Sequence, residues 1–379
     1  MGRAKLRCAV IGGGVMGAAA AHALARRGAA VKLFEQFALG HDRGSSHGQT
    51  RLFRTAYFEH ADYVPILKRA AALWRELETA SATPLLTQCG VFMAGPGDST
   101  LLSGTLQAAE IHDLPIRRLT RAQTRQFFPW FKLGVEMDAI IEPEAGFLHA
   151  SFACAALLHG ARQFGAVIRD RTPVKAWRET GAEIELELAN ETARFDRLII
   201  TPGAYAGELL GDIGARVKPL RKSLFWTAPR DKRFTLTAGF LPFGVEDADG
   251  RFFYGFPAID SDGVKLGEHT TIETPDGGLD DAALADRARG DIEAFLARRA
   301  PALGEKVTGQ QSCLYEMSPD DHFIIDTHPE CDGVCFAIGH SGHGFKFAPP
   351  IGQALADLAF SGETLPEFNF LKLARFAQA

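Results

Sequence analysis

The sequence predicts an α/β protein, α+β in its overall division, with two interleaved domains. One rests on a parallel sheet wrapped by helices, the other on a mixed, largely antiparallel β-sheet. Three observations predict it. Within the first 35 residues an apolar run enters a glycine-rich turn and then a helical pattern. The 379 residues ask for two domains, at roughly 100–200 residues each. The chain also changes character several times with no linker, internal repeat or low-complexity tract, as a chain crossing between two units would.

Composition narrows the class. Apolar residues make up 46% and charged residues 23%, ordinary globular values that exclude disorder and a disulfide-dense scaffold. The net charge of −5 argues against a nucleic-acid partner. Cys8, Cys89, Cys154, Cys313, Cys331 and Cys335 lack paired spacing. They read as reduced thiols of a cytoplasmic protein, and no metal site is expected. The basic start, Arg3 to Arg7, imitates a signal peptide, but the apolar stretch behind it holds Gly12, Gly13, Gly14 and Gly17 and reads better as a strand and turn. Leu6 stands where a myristoylation signal needs Ser or Thr. The last residues carry no targeting signal, and no apolar run is long enough for a membrane span.

Residues 6–11 suit a buried parallel strand. Gly12-x-Gly14-x-x-Gly17 follows, then a helical run over 18–27 stopped by Gly28, then a strand over 31–34 ending at Glu35. Gly12 permits the tight turn, Gly14 lets backbone approach a pyrophosphate, and Gly17 lets helix and strand pack closely. Glu35 lies 18 residues beyond Gly17, close to the spacing of an acid that holds a ribose hydroxyl. This Rossmann-like unit predicts a dinucleotide, NAD or FAD rather than NADP. Residues 44–59 form a glycine-rich polar loop leading to Arg51 and Arg54. Their rigid forks suit a carboxylate or a ring carbonyl, although two solvated arginines would read alike. Ile66, Leu67, Ala70, Leu73, Trp74 and Leu77 share one face of a helix over 64–77, where Trp74 packs.

Residues 85–141 are mixed and rich in Pro and Gly. A helix over 150–164, strands over 166–168 and 183–188, and a strand over 197–201 entering Pro202-Gly203-Ala204 return to the first domain. Residues 217–269 are strand-rich and basic at Arg216, Lys218, Arg221 and Lys222; a helix over 280–299 is closed by Pro301. Residues 254–257 and 264–269 read as neighbouring strands. Lys265, Gly267 and His269 then share a face with room over the glycine for something flat, unless that face is merely solvated. A strand over 334–338 enters a second glycine-dense turn at 339–344, and a helix runs over 350–360. Such turns point N–H groups at electron-rich ligands.

Gly12-x-Gly14-x-x-Gly17 with Glu35, the 44–59 stretch, Tyr254-Gly-Phe-Pro, Lys265-Leu-Gly-x-His269, Cys313-x-Tyr315 and Ser341-Gly-His-Gly-Phe-Lys346 occur in that order. Together they closely resemble the monomeric sarcosine oxidase and N-methyltryptophan oxidase family, of the D-amino-acid-oxidase-like flavoprotein superfamily, over essentially the whole chain. The resemblance implies FAD linked covalently through Cys313. It implies that Arg54 and Lys346 hold a substrate carboxylate with Glu59 beside the arginine, that Tyr315, His269 and Tyr254 line the substrate side, and that Lys265 serves oxygen activation. Arg51 and His47 match groups near the flavin ring. The cofactor-binding set is then Gly12, Gly14, Val15, Met16, Gly17, Glu35, Gln36, Ser45, His47, Thr50, Arg51, Val174, Gly203, Cys313, Gly342, His343, Gly344 and Lys346; the catalytic set is Lys265, His269, Arg51, Tyr315 and Tyr254. Ser46 stands where relatives often have a second His, Gln49 replaces a typical Asp, and residues 241–252 diverge.

On this reading the FAD-binding domain comprises 1–85, 146–215 and 311–379, and the substrate domain 86–145 and 216–310. The implied function is oxidation of secondary amines, N-methyl or cyclic amino acids, with reoxidation by O2 to H2O2, by a monomer. The alternative is a dehydrogenase that passes electrons to another acceptor. An NAD-linked enzyme would leave the second glycine turn and Cys313 unexplained. A flavin-bearing binding module would bind ligands without turnover.

Overall fold

A computed structural model describes residues 5–228, 230–270 and 281–378. The proposed start of a helix at Asp280 and the basic leader before Lys5 lie outside the described residues. A six-stranded sheet orders Ile324–His328, Cys331–Ile338, Arg197–Ile200, Arg7–Ile11, Ala30–Phe34 and Val167–Arg169. All neighbours are parallel except the Ile324–His328 edge strand. Cys8 to Ile11 are all buried, as a strand covered on both faces requires. The covering layer is the alanine-rich helix Val15–Arg26, packed between Ala150–Gln163 and Ala348–Ser361. Small side chains allow this close approach: a Cβ on Gly352 would lie 2.5 Å from the Ala19 carbonyl carbon.

The second sheet has eight strands, in the order Gly309–Met317, Lys218–Thr227, Val264–Glu268, Phe252–Phe256, Phe243–Glu246, Val91–Pro96, Met137–Glu142, Arg117–Leu119. Every neighbouring pair is antiparallel except Phe243–Glu246 with Val91–Pro96. Its core is aromatic, with Phe92, Phe131, Phe225, Phe243 and Phe253 packed with Phe295 of the helix Asp281–Arg299. A small antiparallel sheet of Thr50–Phe53, Gly146–His149 and Leu86–Gln88 ties the two regions together. Another, Ala176–Thr180, Glu183–Glu187 and Thr192–Phe195, lies beside the first sheet.

Three boundaries differ from the sequence reading. The first helix begins at Val15, because Gly14 is its N-cap and the turn runs straight into it. The last begins at Ala348, with prolines in the first turn where a missing N–H costs nothing. The domain boundary expected at 311 falls inside the strand Gly309–Met317, which pairs along its whole length with Lys218–Thr227. Residues 311–317 therefore belong to the larger sheet, and the chain returns to the smaller one at Ile324. Among the described residues no helix is long and apolar enough to cross a membrane, and no cluster of ligands could hold a metal.

Candidate active site

One cavity of about 490 Å³ reaches from the first glycine turn to the face of the eight-stranded sheet. Every residue that the sequence assigned to the site lines it except Gly17. Gly17 does what its place in the fingerprint demands: a Cβ there would meet the Gly12 carbonyl oxygen at 1.9 Å. Gly12 has φ of +101°, which admits the turn, and the Val15 N–H is capped by Ser46 Oγ at 2.9 Å. Glu35 is buried; its carboxylate accepts from the Gly13 N–H (2.6 Å) and the Phe37 N–H (2.8 Å).

Arg51 staples the polar loop. Its guanidinium donates to the carbonyls of Thr50, Ser45 and His47, each at 2.8 Å. His47 reaches across to the Ser312 carbonyl (3.1 Å) and so fastens this loop to the strand of Cys313. Lys265 is buried on the larger sheet, its ammonium 3.1 Å from the Thr50 carbonyl. Burial, and then the Arg51 charge, push it well below the ordinary lysine range.

Arg54 is only 3 % exposed. Its Nη2 meets Glu59 at a loose 3.3 Å, and its Nε and Nη1 are buried with no partner. The guanidinium lies over Phe58 (4.5 Å) and Tyr57 (5.3 Å), which supports the charge without filling its donors. Lys346 donates to the His343 carbonyl (2.8 Å) and the Tyr57 hydroxyl (3.2 Å). Burial lowers it to about 7; Glu59 and Glu142 hold it up and Arg54 pushes it down.

Tyr315 faces His269 across 3.5 Å, and its ring rests on Gly342, where a Cβ would lie 2.1 Å away. Burial holds the Tyr315 phenol protonated and drives the His269 imidazole down to about 3, so both are neutral at physiological pH. Lys222 donates to the His269 carbonyl (2.9 Å) and lies over the Tyr315 ring at 5.5 Å.

One expectation is corrected. The space over Gly267 is filled by the Tyr254 phenol, whose oxygen would lie 2.6 Å from a Cβ there. The two strands are paired with Tyr254 opposite Gly267, so the side chain folds onto the bare backbone. His343 presents no free ring nitrogen to the cavity: Nδ1 meets the Tyr57 hydroxyl (2.6 Å) and Nε2 the Asp321 carbonyl (3.0 Å). Sequence reasoning missed Tyr57, Glu142 and the buried Glu316–His340 pair. Their chemistry arises from partners 24 to 289 residues apart, and no local spacing signals it.

A glycine turn backed by an acid, opening into a long cavity floored by a second sheet, defines a dinucleotide-dependent redox enzyme. The chain belongs to the FAD dependent oxidoreductase family, whose model matches residues 7–358. It is 36% identical to a monomeric sarcosine oxidase of Streptomyces avermitilis over 98% of this chain and 97% of that one. It is 34% identical to an N-methyl-L-tryptophan oxidase of Yersinia pestis over 97% of this chain and 98% of that one. Among solved structures, NikD, an unusual amino acid oxidase, superposes with a TM-score of 0.81 at 21% identity, over 97% and 98% of the two chains.

The residues present fit FAD. The turn at Gly12 to Gly14 leaves bare backbone at one end of the cavity, the carboxylate of Glu35 lines the wall beside it, and the cavity continues past Thr50 and Arg51 to Cys313 and Lys265.

Proposed function

We propose that the protein oxidises secondary amines that carry a carboxylate, N-methyl or cyclic amino acids of the sarcosine type. The observation that carries this reading is Arg54, a buried guanidinium with two unpartnered nitrogens beside Lys346 at the far end of the cofactor cavity. A buried cation left this way is costly unless an anion completes it. Charge-assisted hydrogen bonds from Arg54 and Lys346 to a carboxylate are worth about 1.5–3 kcal/mol each.

The substrate amine must lose its proton, because an ammonium has no lone pair to expel a hydride. Arg51 lines that part of the cavity with a positive charge, and Lys222 stands behind it on the His269 carbonyl. One unit charge at about 4 Å is worth up to about 4 kcal/mol at an effective dielectric near 20, enough in sign and scale to favour the neutral amine. Neutral His269 and Tyr315 bound the same region without adding charge. Phe252 and Tyr254 line it with apolar and phenolic surface that limits water. Bound FAD supplies the two-electron acceptor for the hydride beside nitrogen, with O2 as final oxidant and H2O2 as product. The imine hydrolyses in water, giving formaldehyde from an N-methyl substrate. Lys265, buried and held by the Thr50 carbonyl, is the group assigned to oxygen. Amides of the second glycine turn, with Lys346, support negative charge nearby.

Cys313 is assigned as the covalent attachment point. Its thiol is buried on the cavity wall, which Lys265 also lines. Protein denatured and precipitated in acid should stay yellow; colour left in the supernatant would refute the attachment. The activity is tested by anaerobic bleaching with a panel of sarcosine, other N-methyl amino acids, proline, pipecolate and glycated amino acids, followed by air. Bleaching by at least one of them and return of colour with peroxide is expected. No bleaching by any of them would overturn the reading. Bleaching without reoxidation by air would favour a dehydrogenase.

A further inference from the structure

The carboxyl group of Glu142 is 2 % exposed at the end of the strand Met137–Glu142. Its Oε1 accepts from two consecutive amides, Thr55 at 2.5 Å and Ala56 at 2.8 Å, and its Oε2 is buried without a partner. Burial pushes the group up to about 7, while the Ala56 amide, Arg54 and the Thr55 amide pull it back and Glu144 pushes it up; Lys346 interacts with it as well. So deep a carboxylate is retained at a cost, and its place explains what it does.

The two gripped amides stand between Arg54 and Tyr57. Tyr57 in turn receives Lys346 Nζ at 3.2 Å and meets His343 Nδ1 at 2.6 Å. One side chain on the larger sheet therefore holds the backbone that aims Arg54 and supports Lys346. A carboxylate bonded squarely to the guanidinium would use up its donors. Gripping the next two amides leaves Arg54 Nε and Nη1 unpartnered while keeping a negative charge close by.

We propose that Glu142 is a positioning residue for substrate recognition: by holding the Thr55 and Ala56 amides it sets Arg54, and through Tyr57 sets Lys346, to receive the substrate carboxylate. This rests on the proposed reading that Arg54 and Lys346 hold that carboxylate.

The test measures the dissociation constant of propionate for the holoenzyme through the perturbed visible spectrum of bound flavin. It is made in wild type, Glu142→Asp, Glu142→Gln, Arg54→Lys and the double variant of Glu142→Asp with Arg54→Lys. Aspartate keeps the charge but withdraws it from the two amides. Glutamine keeps an oxygen for both amides and serves as the control; a melting curve and flavin content check that each variant folds. Glu142→Asp should weaken propionate about tenfold when Arg54 is intact, and Glu142→Gln less than threefold. Glu142→Asp should weaken it less than threefold once Arg54 is lysine, because lysine cannot use the geometry being held. A lower melting temperature with unchanged propionate affinity would mean that Glu142 only stabilises the fold. Equal losses in both backgrounds would mean that it does not act through Arg54. If Arg54→Lys leaves propionate binding intact, the reading of Arg54 itself fails and takes this proposal with it. If Arg54→Lys weakens binding and neither Glu142 variant does, only the role of Glu142 falls.

Discussion

Lys346 carries a charge that neutral pH can switch. Its burial puts it near 7, between Arg54, which discharges it, and Glu59 and Glu142, which keep it charged. A bound carboxylate favours the protonated form, so binding takes up a proton wherever free Lys346 is neutral. Affinity for propionate should be greatest below pH 7 and should fall with rising pH above it, approaching tenfold per unit, until the pKa of the complex is passed. Lys346→Met should abolish most of that slope; a slope that survives the substitution would mean another group is titrating. Lys346 and Arg54 were singled out in the sequence because they sit in ordered motifs that resemble those of the family. Tyr57 was not, since nothing around it in the chain shows that Lys346 and His343 will meet its hydroxyl. Glu142 was hidden for the same reason: it lies 86 and 87 residues from the amides it grips.

At the scale of elements, periodicity and glycines revealed most of what is local. The first strand, the alanine-rich helix behind Gly14 and the strand pair holding Tyr254 and Lys265 lie where apolar pattern and turn residues put them. Sheet membership is a non-local property, and that is why the boundary at 311 divides the strand Gly309–Met317: its partner lies about 90 residues earlier, at Lys218–Thr227. This strand and the second glycine turn meet at the Glu316–His340 pair, at the Ser341 N–H on the Glu316 carbonyl and where Tyr315 packs on Gly342. Gly342 has φ of +77° and no room for a Cβ, so Gly342→Ala must strain the turn or displace the phenol. We expect it to lower kcat/KM for the amine substrate by at least tenfold and to shift the visible spectrum of bound flavin. The melting temperature should fall by only a few degrees, since overpacking costs about 1–3 kcal/mol. A variant with unchanged spectrum and kinetics would show that Tyr315 is free to move without consequence.

Over the whole molecule the buried histidines act together. Burial is the first cause that lowers His22, His47, His149, His269, His322, His328 and His343 below the ordinary range. In the unfolded chain each returns to about 6.5. Folded-state values below unfolded ones mean that unfolding takes up protons below that pH, so the stabilisation is complete above about 6.5 and is lost as pH falls. His269, lowered to about 3, keeps contributing down to that pH, whereas the partly exposed His149 and His328 contribute less because water screens them. Glu142 runs the other way: its folded value of about 7 lies above the unfolded one, so its own contribution grows as pH falls from 7 towards 4.5. Burial raises Asp321 as well, but two carboxyls do not offset seven imidazoles, and the sum should be acid-labile well above the range where exposed carboxylates titrate. Calorimetry of the holoenzyme in buffers of different ionisation enthalpy should therefore count more than two protons taken up per molecule on unfolding at pH 5.5. The melting temperature should drop steadily from pH 6.5 to 5. A count below one, or a melting temperature flat over that interval, would mean that these rings are protonated in the folded protein, His269 and the substrate side of the cavity included. The site would then hold an additional positive charge, and the assignment of His269 as a neutral wall beside the amine would have to be withdrawn.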